Sequence, residues 1–190
     1  MRSSFLITAA FVMGISVSYA WASDEKSIDV RAVTAEGVGS SIGSITLHDT
    51  ESGLQIVANL KGLTPGEHGF HIHENPDCGP KEKDGKMVAA QAAGPHYDPH
   101  STGKHLGPHG GGHVGDLPKL VAAEDGTAAL TMNVKGLKVS DILNRSLMIH
   151  AGGDNYSDTP QPLGGGGARI ACGVISGDAK ESGSEKAHSK

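Results

Sequence analysis

The sequence predicts an all-β protein, and three observations support this class. Glycine occurs 28 times in 190 residues, whereas Phe, Trp and Tyr together occur 7 times, a balance that favours strands and turns over a helical bundle. Beyond residue 22, apolar side chains alternate with a period of two. Two long segments rich in Gly and Pro interrupt this alternation. About eight strands are expected, which suits a sandwich or a barrel.

The clearest strands each carry four apolar residues on one face. One strand has Leu54, Ile56, Ala58 and Leu60, and the other has Ala128, Leu130, Met132 and Val134. Further candidates lie at Ile28, Val30 and Ala32, at 45–47, 70–72 and 147–149, and at Ile170 with Val174. Gly43 falls where the alternation changes phase, as at a β-bulge.

The segments between strands contain two long loops, 74–116 and 151–168, in which the sequence predicts no regular structure. Loops of this length in a compact domain are usually functional or disordered. A short helical turn is predicted within 139–143.

The first 22 residues read as a secretory signal cleaved after Ala22. A basic residue, Arg2, precedes an apolar run too short to span a bilayer, and small residues end at the expected cleavage site. An uncleaved anchor is the disfavoured alternative, so no stable membrane anchor is expected. The predicted domain covers 23–176, and 177–190 is small, charged and predicted to be disordered.

The charge balance excludes nucleic acid as an expected partner. The chain carries a formal net charge of −5, so it lacks the basic excess that phosphate-binding surfaces need. Loss of Arg2 with the signal makes the exported chain one unit more negative.

Two cysteines, Cys78 and Cys172, lie in the exported part. In an oxidising compartment a lone pair favours a disulfide over two free thiols. The bond would close a loop of about 94 residues, for which chain entropy gives roughly 4–5 kcal/mol less any strain.

His71 and His73 are two residues apart, so on a strand both project from one face about 6.6 Å apart and can converge on a metal ion. A surface pair without function is the alternative. His68 has the opposite parity, which favours a structural, hydrogen-bonded role.

A second group of histidines indicates a metal-binding loop. Interspersed Pro and Gly exclude a continuous helix, and a Gly-rich loop can wrap around an ion. Zinc commonly takes several imidazoles and sometimes a carboxylate, but spacing does not choose which histidines ligate. The candidates are His96, His100, His105, His109, His113 and Asp116. His150 and Arg169 each lie at a strand end and are further candidates for the site, with an ordinary structural role as the alternative for each.

Four segments together resemble the motifs of copper-zinc superoxide dismutase, in its bacterial exported branch. They are GEHGFHIHE (66–74), AGPHYDP (93–99), GHVGDLP (112–118) and GGGARIACGV (165–174). The resemblance implies an eight-stranded, immunoglobulin-like Greek-key β-barrel or sandwich, a periplasmic location and protection of that compartment. It also implies conversion of two superoxide ions and two protons to dioxygen and hydrogen peroxide.

The resemblance also implies a set of site residues. Copper is expected on His71, His73, His96 and His150, and zinc on His96, His105, His113 and Asp116. His96 would bridge both ions and carry a proton, Asp154 would link ligands of the two metals, and Arg169 would receive superoxide. His100 and His109 match no ligand of the family.

One departure from the family concerns the attraction of substrate. The loop 152–168 contains no Lys, so local positive potential must come from elsewhere. Lys81, Lys83 and Lys86 are candidates, although Glu82 and Asp84 lie between them and a merely solvated loop fits equally well. The alternative function is an exported metal buffer or copper carrier, which would need neither a shared histidine nor Arg169. The sequence leaves monomer and homodimer open.

Overall fold

The computed structural model describes residues 25–177, which form eleven strands and three 3-10 turns. The strands are β1 (Glu25–Thr34), β2 (Gly37–Thr50), β3 (Gly53–Leu60), β4 (Gly66–His68), β5 (Phe70–His73), β6 (Lys81–Lys83), β7 (Lys86–Val88), β8 (Leu120–Ala122), β9 (Ala128–Lys135), β10 (Arg145–His150) and β11 (Arg169–Ile175). The turns are Gln91–Ala93, Val139–Ile142 and Pro162–Gly165. Among these residues, no helix has the length and apolar character needed to cross a membrane.

The strands curl into an antiparallel barrel, which confirms the predicted class. Seven strands form one sheet in the order β5-β10-β11-β1-β2-β3-β9. β4 leads directly into β5 and pairs with β8. A turn closed by a hydrogen bond from the Ala123 N–H to the Thr127 carbonyl connects β8 to β9. With β4 and β5 counted as one strand, the barrel has eight. The β6–β7 hairpin lies outside it.

The core follows the predicted alternation. On β3, the four predicted inward residues are at most 2% exposed, and β9 likewise buries Ala128, Met132 and Val134. Ala32 lies in β1 as predicted, but a register shift in that strand turns Val33 inward and leaves Ala32 partly exposed. The predicted bulge at Gly43 is confirmed, because the β1–β2 register skips Ile42 there.

The first long loop is more regular than the sequence predicts, because it contains the β6–β7 hairpin and the turn Gln91–Ala93. The two residues between these strands, Asp84 and Gly85, both have positive φ, which suits a tight two-residue hairpin turn. The turn predicted within 139–143 is present. The disulfide between Cys78 and Cys172 is also present and ties this loop to β11.

The predicted signal segment, 1–22, and the predicted tail beyond Gly177 lie outside the described residues.

Candidate metal centre

Strand β5 has two different faces, and the histidines occupy the one that points away from the barrel core. Phe70 and Ile72 belong to the core, whereas His71 and His73 alternate with them and are buried beneath the loops. Their ring centroids are 6.4 Å apart. The neighbouring strand β10 ends at His150, whose ring centroid lies 5.0 Å from that of His71.

The first long loop supplies His96 by adding itself to the free edge of β5. The Ile72 carbonyl accepts from the Tyr97 N–H at 2.8 Å, and the Ile72 N–H donates to the Gly115 carbonyl at 2.9 Å. A side chain at Gly115 would collide with the Ile72 carbonyl oxygen, so glycine is required there. The His96 ring consequently stacks on His71, with a centroid distance of 4.0 Å.

Four histidines therefore converge on one point. His71, His73, His96 and His150 each offer one ligand atom, and these atoms lie within 4.8 Å of one another. In three of the rings, one nitrogen is already used by the protein. The His71 Nε2–H donates to Asp154 at 2.7 Å. The Nδ1–H of His73 and of His150 donate to the carbonyls of Gly94 (2.9 Å) and Gly167 (3.2 Å).

The remaining nitrogens of these three rings have no hydrogen-bond partner although they are buried. They are the Nδ1 of His71 and the Nε2 of His73 and His150. Burial lowers the pKa of all three histidines, which favours the neutral rings with a free lone pair. Buried polar atoms are otherwise almost always paired, and a neutral imidazole nitrogen is a metal ligand. This donor set fits copper.

A second cluster adjoins the first and shares two of its members. His71, His96, His105 and Asp116 offer ligand atoms within 4.8 Å of one another. Asp116 Oδ1 lies 3.0 Å from the Nδ1 atoms of both His96 and His105, and 3.3 Å from the Nδ1 of His113. The mixed imidazole and carboxylate donors suit zinc. The predicted set differs only in containing His113, which borders this cluster, in place of His71.

Asp154 connects the two clusters. Its Oδ2 accepts from His71, and its Oδ1 accepts from the His105 Nε2–H at 2.8 Å and from the Tyr156 N–H at 2.7 Å. Burial opposes ionisation, but the hydrogen bonds from His105 and His71 outweigh it and hold the Asp154 pKa well below its usual range. Burial also lowers the pKa of His105, yet the hydrogen bonds to Asp116 and Asp154 reverse this effect and raise it to about 9.

A cavity of about 380 Å³ leads from solvent to the four-histidine cluster. His73, His96 and His150 lie along it, and Arg169 lines it as well. The Arg169 guanidinium is fixed by hydrogen bonds of 2.7 Å to the carbonyls of Ala90 and Gly94. Arg169 thus presents a fixed positive charge beside the histidines.

Comparison with known proteins identifies the family. Residues 41–175 match the family model described as "Copper/zinc superoxide dismutase (SODC)". This chain belongs to the copper/zinc superoxide dismutase family. Superoxide dismutase [Cu-Zn] 2 of Salmonella typhimurium is 53% identical over 170 residues, which are 89% of this chain and 98% of the relative.

Solved structures of two superoxide dismutases resemble the fold closely. The Cu/Zn superoxide dismutase from Brucella abortus is 52% identical with a TM-score of 0.79, and covers 80% of this chain and 99% of its own. The monomeric copper, zinc superoxide dismutase from Salmonella enterica is 55% identical with a TM-score of 0.72, again over 80% of this chain and 99% of its own.

The sequence analysis of this superoxide dismutase family member did not assign a role to several residues near the site. Lys83 lines the Arg169 cavity, whereas Lys81 and Lys86 do not. Gly164 was missed, although a Cβ there would collide with Asp154 Oδ1. Its position in a run of four glycines was the available signal. His68 has the structural contacts expected of it, with its ring nitrogens 2.7 Å and 2.8 Å from the carbonyl oxygens of His150 and Thr64.

Proposed function

We propose that this protein is a copper-zinc superoxide dismutase, which converts two superoxide ions and two protons to dioxygen and hydrogen peroxide. The observation that carries the proposal is the pair of joined clusters, in which buried imidazole nitrogens without partners surround one point beside a fixed guanidinium. A metal buffer needs the unpaired imidazole nitrogens, but it does not need the fixed guanidinium beside them.

The four-histidine cluster is assigned to copper. His71, His73, His96 and His150 would hold it, and bound copper would supply one-electron oxidation and reduction. The carbonyls of Gly94 and Gly167 orient two of these rings, because each accepts the one ring N–H and so leaves the other nitrogen free.

The neighbouring cluster is assigned to zinc. His96, His105, His113 and Asp116 would hold it, and bound zinc, which has no redox chemistry, would order the loop that carries them. Asp154 orients one ligand on each side, because it accepts the N–H of His71 and the N–H of His105.

Two residues act on the reactants. Arg169 attracts the superoxide anion into the cavity, and its two backbone hydrogen bonds keep the charge in place. Lys83 adds a second positive charge on the same cavity. His96, shared by both clusters, would carry a proton at Nε2 when that nitrogen is not bound to a metal, and would donate it to the reduced oxygen species, because peroxide leaves in protonated form.

The proposed location is the periplasm, reached after removal of residues 1–22. The short apolar run and the small residues at Ala20 and Ala22 support this proposal, as does the homology to bacterial superoxide dismutases. Sedimentation velocity of the exported protein distinguishes the monomer from the homodimer, between which the sequence does not choose. Mass spectrometry of the exported protein tests the cleavage site, since the mature chain should lack Trp21.

The decisive experiment combines metal analysis with superoxide removal before and after copper loading. The wild-type protein should bind both metals and remove superoxide when copper is present. His96→Ala should lose affinity for both ions, whereas the control His109→Ala should match wild type because the exposed His109 lies in neither cluster. Metal binding without any superoxide turnover would favour the metal-carrier function instead.

A further inference from the structure

The two clusters are buried, so each ion must reach its ligands through an opening in the protein surface. Besides the cavity lined by Arg169, a cavity of about 260 Å³ reaches His113, which lies 3.3 Å from the buried Asp116 carboxylate of the second cluster. The two cavities share no lining residue. The two cavities therefore offer separate routes toward the two clusters.

The charges on the two cavities differ in a way that matters for a dication. Arg169 and Lys83 line the first cavity, so a free metal dication that enters it is repelled. In the second cavity the buried Asp116 carboxylate lies directly behind His113, 3.3 Å from its Nδ1, and Lys135 is the one Lys or Arg among the lining residues. Zinc is thus better attracted through the second cavity.

An exposed histidine, His100, lines this second cavity together with His113 and Asp116. The backbone position of His100 is defined by the loop, because Asp98, which precedes it, accepts hydrogen bonds from two residues that follow it. The Asp98 carboxylate accepts from the Gly103 N–H at 2.8 Å, and the Asp98 carbonyl accepts from the Ser101 N–H at 3.0 Å. His100 is therefore an imidazole held where an entering ion meets the protein.

We propose that His100 is a transient zinc ligand at the entrance of this cavity. It captures Zn²⁺ from solvent by displacing one bound water, and passes it to His113 and then to Asp116. This inference rests on the zinc assignment proposed above. It gives a function to a histidine that belongs to neither ligand set.

A capture ligand has a kinetic signature that a permanent ligand lacks. Because it lies on the path for both entry and exit, its loss slows zinc association and zinc release by the same factor, and the equilibrium affinity stays unchanged. His109 is the matched control, since it is an exposed histidine of the same loop that does not line the cavity.

The test measures zinc binding by stopped flow with a chromophoric zinc indicator, on the metal-stripped mature chain, and zinc release from the metallated protein to a chelator. In His100→Ala, both rates should fall roughly three- to tenfold with an unchanged dissociation constant. His109→Ala should match wild type. Lys135→Glu should accelerate association, most clearly at low salt, because it replaces a positive charge on the cavity with a negative one.

Unchanged rates in His100→Ala would overturn the proposal, as would a weakened affinity with unchanged association, which would make His100 a permanent ligand. Either result leaves the proposed function intact if wild type binds zinc tightly. A wild-type protein that binds no zinc would refute the zinc assignment itself.

Discussion

Replacement of Asp154 by Asn tests whether one carboxylate positions ligands of both metals. The wild-type carboxylate accepts N–H groups from two rings, at 2.7 Å from His71 and 2.8 Å from His105. An amide has only one acceptor oxygen, so one ring N–H would face an NH₂ group inside the protein. The alternative tautomer would relieve this conflict, but it would protonate the nitrogen that faces the metal.

The magnitude follows from the burial of this group. Asp154 is 4% exposed, so the conflict cannot be relieved by solvent. A buried donor without an acceptor costs about 1–3 kcal/mol, which corresponds to roughly 5- to 150-fold in affinity. Loss of a residue that orients a metal ligand typically costs about 10- to 100-fold. We therefore expect zinc affinity to fall by about 10- to 100-fold.

Copper affinity should fall less. His71 is held by its strand, since β5 pairs with β10 on one edge and with the added loop on the other. His105 lies in a loop and depends more on its side-chain contacts.

The assay is competition between the protein and chromophoric chelators for each metal, with folding checked by circular dichroism. Asp125→Asn is the control, because that carboxylate also accepts hydrogen bonds, from Thr127, but in an exposed turn. Gly164→Ala should reproduce the loss without removing a charge, since its Cβ would push against Asp154. Zinc affinity within a factor of about two of wild type in Asp154→Asn would refute this reasoning.

Two further predictions concern charge. Arg169→Glu should retain both metals but lose an order of magnitude or more in superoxide turnover, because about 1–4 kcal/mol of attraction at roughly 4 Å becomes repulsion. Arg169→Lys keeps the charge and should lose less. Equal turnover of the wild type and both variants in stopped-flow assays would contradict this role of Arg169. In the metal-free protein, burial lowers the pKa of His96 to about 4 and of His150 to about 3, so the unfolded chain binds more protons as pH falls below 6.5. The free energy of unfolding should then fall by about 1–3 kcal/mol per pH unit between pH 6 and 4, and a flat dependence in urea titrations would exclude it.

Side-chain parity made much of the fold predictable. Alternation along β3 identified its buried face, and the same alternation placed His71 and His73 together on one face of β5. These predictions succeeded because the period of a strand is a local property of the backbone. The change of phase at Gly43 likewise located a bulge.

The assembly of the site could not be obtained from spacing. Five loop histidines were equivalent candidates in the sequence, and the family resemblance alone selected among them. In the structure, His96 and His105 join the clusters because loop hydrogen bonds, such as those of Ile72, attach the loop to β5. His100 and His109 belong to the same loop but remain at the surface.

The sequence by itself determined the strand class, the cysteine pair and the residue types that can hold copper and zinc. Only the tertiary structure decided which nitrogen of each ring is free, because that depends on acceptors distant in sequence, such as Asp154 for His71 and Gly94 for His73. It also decided that Lys83 faces the same cavity as Arg169. Local periodicity specifies the direction of a side chain, whereas its hydrogen-bond partners come from strand pairing and loop closure between residues far apart in the chain.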